Sequence, residues 1–132
     1  MKIKEPEFRC AGNWDELAVL FGYEIHPHDQ DWTYTISEPK RISDYILAYG
    51  TVVTDPDSKF SLMEMILEAL DGQPSAEEMA RQWELIKPLL TRNFSLHQYT
   101  IFYWCCWGNK NIDDCFEATP LLRAFWLEHE EP

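Results

Sequence analysis

Ser95-Leu96-His97-Gln98-Tyr99-Thr100-Ile101-Phe102-Tyr103-Trp104-Cys105-Cys106-Trp107-Gly108 is the stretch whose reading decides the fold. By residue preference, Tyr99 to Trp107 is a strand, because aromatic and β-branched side chains suit a pleated surface. Its punctuation argues for a helix. Ser95-x-x-Gln98 has the form of a capping box, in which the first side chain accepts from the N3 amide and the fourth reaches back to the cap amide. Phe94 and Tyr99 stand at the positions of a hydrophobic staple. A length of about twelve residues, with Gly108 as a stop, completes the signature. The run therefore predicts a helix, apolar on nearly every side, as a central buried helix would be.

Working outward, the same punctuation recurs. Ser61-x-x-Glu64, with Phe60 and Met65 as staple, predicts a helix through Leu70 that stops at Asp71-Gly72, where glycine takes the left-handed conformation. Ser75-x-x-Glu78 opens a helix with Met79, Trp83, Ile86 and Leu90 on one face. Pro88 lies in that helix and removes a hydrogen bond to Glu84, so a kink or an end is expected near Lys87. Asn111 caps a short turn over 112–117. Thr119-Pro120 opens a last helix, Thr as N-cap and Pro at N1, with Leu122, Phe125, Trp126 and His129 toward the core.

The N-terminal half is less regular. Asn13 caps a helix that ends at Gly22, and residues 43–50 form a short helix. Residues 32–36 alternate and are β-rich, and residues 51–54 are extended. Asp55-Pro56-Asp57-Ser58 reads as a turn between the halves. The expectation is a mainly α fold. One compact domain over residues 1–132 has about six helices around a central aromatic helix and at most one small β-hairpin, near residues 32–36 and 51–54.

Composition bounds the function. The 132 residues carry twenty-three Asp and Glu against eleven Lys and Arg, a formal charge of −12. With six Trp, six Tyr and seven Phe, the chain has the apolar bulk for a core, so the charge belongs on a folded surface. Such a surface repels nucleic acid and anionic lipid and attracts basic proteins. Divided at residue 60, the charge is shared by both halves, and the closing 128–132 is a short acidic end that frays. No signal peptide or membrane-length apolar run appears, so the reading is a soluble, cytoplasmic protein with four reduced cysteines, Cys10, Cys105, Cys106 and Cys115.

Three groups of residues bear on chemistry. His26, His28, Asp29 and Asp31 offer metal-ligand types within one short loop, although Gln30 and Trp32 stand where a metallo-hydrolase pattern would place further ligands. Cys105, Cys106 and Cys115, with His97, form a second group. Neighbouring cysteines on a helix point about 100° apart and share one ion poorly, so these read as core packing. Asp113, Asp114 and Glu117 are a local acidic cluster. Trp14, Trp32 and Trp126 would serve as interface anchors if exposed beside carboxylates. Phosphate-binding glycine loops, nucleophile elbows and Glu-x-x-His pairs are all missing, and no cofactor is implied.

The function expected from these features is a non-enzymatic interaction domain that binds or neutralises a basic protein. In physical character it is similar to the toxin-neutralising immunity proteins of bacterial competition systems, which are small, acidic and poor in motifs. The resemblance rests on no motif. Two other classes stand beside it: a small metal-dependent enzyme or metal-binding protein using the His26–Asp31 loop, and a subunit of a cytosolic assembly or homodimer joined through an apolar face.

Overall fold

The computed structural model describes residues 3–11 and 14–129. Among these it holds seven α-helices: α1 Asp15–Phe21, α2 Trp32–Ile36, α3 Ile42–Ala48, α4 Pro56–Asp71, α5 Ala76–Arg92, α6 Phe94–Cys105 and α7 Thr119–His129. Two short 3-10 turns, Pro39–Arg41 and Ile112–Asp114, interrupt the connections. The chain gathers into two compact units. Residues 10–74 form the first, and residues 1–9 with 75–132 the second. No helix among the described residues is long and apolar enough to cross a membrane.

In the 10–74 unit, α4 is the element on which the others pack. Nearly its whole length is buried, from Phe60 through Met63, Ile66 and Leu70. It begins earlier than the Ser61 capping box predicts. Asp55 is its N-cap, the carboxylate accepting from the amides of Asp57 (3.1 Å) and Ser58 (3.2 Å), and Pro56 occupies the first turn, where its missing N–H costs nothing. The segment read as a turn is thus a helix start. Ser61 lies a full turn inside and is buried, while Glu64 is engaged by Thr33 and cannot reach back to a cap. The α4 terminus also differs from expectation. Gly72 has φ −90°, outside the left-handed region. Glycine is needed there for space, since a Cβ would lie 2.6 Å from the Pro39 ring.

The expected hairpin does not form. Residues 32–36 are helical, the amides of Tyr34 and Thr35 both bonding back to the Asp31 carbonyl. Burial decides this against strand preference. The adjacent side chains Trp32 and Thr33 are both buried, which an alternating strand would not allow. The Trp32 indole donates to the Glu24 carbonyl at 2.8 Å, and Thr33 donates to Glu64 at 3.0 Å. Differences in β-propensity span only about 1 kcal/mol, less than burying a tryptophan contributes. Residues 51–54 make a tight turn after α3: Gly50, at φ 79°, donates to the Val53 carbonyl, and Val53 donates to Ala48. Only an isolated bridge pairs Tyr49 with Val53. Helix α1 ends as expected at Gly22, left-handed at φ 75°. Its expected cap, Asn13, lies outside the described residues.

In the second unit, α5 follows its sequence closely. The Ser75 side chain accepts from the Glu78 amide, and the four buried residues are Met79, Trp83, Ile86 and Leu90. Pro88 does not end it. The helix runs on to Arg92, and the Thr91 hydroxyl and Asn93 amide side chain return bonds to the Lys87 and Leu89 carbonyls. The decisive run is helical, as its punctuation predicts, but Ser95 is not the cap. Helix α6 starts at Phe94, and the amides of Leu96 and His97 bond to the Asn93 carbonyl. Nor is the helix buried on every side. Its buried residues are His97, Thr100, Ile101, Trp104 and Cys105, one stripe at helical spacing, and Tyr103 faces out. It ends at Cys106 rather than Gly108, with Cys106 itself left-handed at φ 55°. Such a conformation costs a non-glycine residue about 1 kcal/mol. Helix α7 opens at Thr119-Pro120. The buried Thr119 hydroxyl accepts from the Phe116 amide and donates to the Trp104 carbonyl, tying α7 to the end of α6. Leu122, Phe125 and Trp126 are buried as expected, and His129, half-buried, stacks on Phe125 with ring centroids 3.9 Å apart.

Candidate functional site

The fold sorts the charge in a way the linear halves do not. Residues 10–74 hold twelve Asp and Glu against three Lys and Arg, a net −9. Residues 1–9 with 75–132 hold eleven against eight, a net −3. Basic residues of the N-terminal segment that offset its acids in sequence, Lys4 and Arg9, belong to the other unit. In the acidic unit Asp15, Glu16, Glu24, Asp31, Glu38, Asp44, Asp55 and Asp57 are exposed.

Two of its three cations are engaged within the unit. Arg41 donates to the Phe21 carbonyl (2.8 Å) and pairs with Asp44 (3.1 Å), its guanidinium 5.1 Å from the centre of the Tyr23 ring. The Lys59 ammonium stands 5.2 Å from the centre of the Tyr49 ring. Little within the unit therefore offsets the field of its carboxylates. Bare aliphatic side chains stand on the same unit: Val19 on α1 is 83% exposed, Leu47 on α3 72%, and Val52 in the following turn 63%.

The tryptophans named as anchors mostly serve the core. Trp32 and Trp126 are buried, Trp126 against Phe94 and Phe102. Trp14 is half-buried and stacks on Trp32, with ring centroids 5.7 Å apart and planes 19° from parallel. Asp113, Asp114 and Glu117 are exposed. The first two sit on the 3-10 turn that Asn111 caps, its side chain accepting from the Asp113 amide. That turn is shorter than expected, ending at Asp114.

The His26–Asp31 residues do not converge on an ion site. His26, His28 and Asp31 are exposed, and the Asp29 carboxylate accepts from the His26 amide at 2.7 Å, closing a turn of its own backbone. Among the described residues no three His, Cys, Asp or Glu side chains come together as a metal site.

A carboxyl that sequence reading assigned only to a cap has unusual chemistry. Glu64 is half-buried on α4, and burial pushes its pKa up to about 7. The charge of Asp31 adds to the rise, while hydrogen bonds from Thr33 and Tyr34 oppose it.

The cysteines divide by environment. Cys10 is exposed. Cys105 is buried, and that burial pushes its thiol up to about 12. Cys106 and Cys115 are half-buried, with sulfurs 2.6 Å apart. Arg123 on α7 caps the end of α6 beside them. Its Nε donates to the Cys105 carbonyl (2.6 Å) and its Nη2 to the carbonyls of Cys106 (2.9 Å) and Asn109 (3.3 Å). That cation also offsets the negative end of the α6 dipole. Spacing along a helix separates Cys105 from Cys106. Only the left-handed turn at Cys106 and the return of the chain bring Cys115 to it.

Compared with protein-family models, curated proteins and solved structures, the chain matches none.

Proposed function

We propose that this chain is a non-enzymatic interaction domain whose acidic unit, residues 10–74, binds and neutralises a basic protein, in the manner of an immunity protein. The observation that carries the reading is the concentration of charge, net −9 on that unit against −3 on the other. A field of this kind speeds encounter with a cationic surface, and exposed aliphatic groups such as Val19 and Leu47 supply contact area that slows release. The setting proposed is the cytoplasm.

The experiment is retention of a basic protein on tagged full-length chain, read against salt and against charge reversal. Asp15→Lys with Glu16→Lys, in the acidic unit, should weaken binding at least tenfold and flatten its salt dependence. Glu77→Lys with Glu128→Lys, which changes the net charge equally in the other unit, should do much less. Equal loss from both pairs would reduce the effect to net charge and remove the assignment to residues 10–74. Binding unchanged in 1 M salt would remove the electrostatic reading. Self-association of the bait, with no basic protein retained, would replace it with a homo-oligomer.

A further inference from the structure

We propose that Cys106 and Cys115 are a redox-active pair, oxidised to an intramolecular disulfide by a low-molecular-weight disulfide. Three features converge on it. The two sulfurs already stand 2.6 Å apart, about half an ångström beyond a sulfur–sulfur bond. Both residues are half-buried, so a small reagent can reach them, whereas Cys105 next in the chain is fully enclosed. The third feature is a cation: Arg123 Nη2 donates to the Cys115 sulfur at 3.8 Å and fixes its position beside Cys106.

The chemistry runs by exchange. The Cys115 thiolate attacks one sulfur of the reagent, forming a mixed disulfide as the reagent's own bond breaks and its first thiolate leaves. Cys106 then attacks the Cys115 sulfur and expels the second thiolate. The protein loses two electrons and two protons, and one reagent disulfide becomes two thiols. Cys106 suits the second role: the contact with Cys115 raises its pKa, so it holds its proton longer. The bond would close the loop from Cys106 to Cys115, which carries exposed Ile112, Asp113 and Asp114.

The test uses reduced full-length protein and oxidised glutathione at neutral pH, followed by alkylation and peptide mass analysis. The expected product has lost two hydrogens, with Cys106 and Cys115 joined. Its melting temperature should rise by roughly 5–10 °C and fall back on reduction. The Cys105→Ala variant should form the same link. The Cys106→Ser variant should stop at glutathione held on Cys115. Alkylation of both Cys106 and Cys115 after treatment, with glutathione found only on exposed Cys10, would overturn the proposal. So would a link that forms through Cys105, or a Cys106→Ser protein that takes up no glutathione at Cys115.

Discussion

The Thr33 hydroxyl donates to the Glu64 carboxylate at 3.0 Å, joining α2 to α4 within the acidic unit. This bond holds one oxygen of a carboxyl that burial otherwise disfavours as an anion, and the folded pKa reaches about 7. An unfolded glutamate titrates near 4.3. The folded state therefore binds the proton more tightly, and ionised Glu64 costs stability above pH 7. That cost, on the order of 3–4 kcal/mol, disappears as pH falls from about 7 toward 4.5. Glu64→Gln keeps an acceptor for Thr33 and has no charge to bury. It should melt several degrees above the parent at about pH 8 and level with it near pH 4.5. Equal melting temperatures at both pH values would show that the Glu64 pKa is ordinary.

Gly72 should not tolerate a methyl group. The added Cβ of Gly72→Ala would meet Pro39 Cγ at 2.6 Å, and a proline ring cannot rotate away. Overpacking of this kind costs about 1–3 kcal/mol, which denaturant unfolding would show as a lower midpoint with an unchanged slope. Alanine usually stabilises where glycine sits in helical or extended backbone, so a neutral or stabilising result would mean that Pro39 moves freely.

The capping boxes make a paired prediction. Ser75 accepts from the Glu78 amide, and Ser75→Ala should cost about 1 kcal/mol. Ser95 is exposed inside α6, one residue past the helix start, and Ser95→Ala should fall within about 0.5 kcal/mol of neutral. Thermal unfolding of the two variants side by side compares the same motif where it caps and where it does not.

Arg123 should matter more than its partly exposed position suggests. Arg123→Ala removes the guanidinium's bonds to the carbonyls of Cys105, Cys106 and Asn109, of which Cys106 keeps the bond from the Asn109 amide, and a loss of about 2–3 kcal/mol is expected. Lysine lacks the planar fork that reaches several carbonyls at once, so Arg123→Lys should recover only part of it. Full recovery by lysine would reduce the role to charge near the helix terminus.

By itself the sequence determined the mainly helical class, the Ser75 cap, the Gly22 stop and the buried stripe Met79, Trp83, Ile86 and Leu90. These are local: a cap, a left-handed glycine and a 3.6-residue period all act within a few turns of chain. The helical reading of Ser95–Gly108 was also legible, though its ends were not: the helix starts at Phe94 and stops at a left-handed Cys106. Tertiary structure alone decided the rest. It made residues 32–36 a helix, since burying Trp32 and bonding Thr33 to Glu64 outweigh a weak strand preference. It gathered the acidic charge into residues 10–74 by placing Lys4 and Arg9 in the other unit, and it set the Cys115 sulfur against that of Cys106. Each of these depends on groups distant along the chain meeting in space, and no local pattern encodes that meeting.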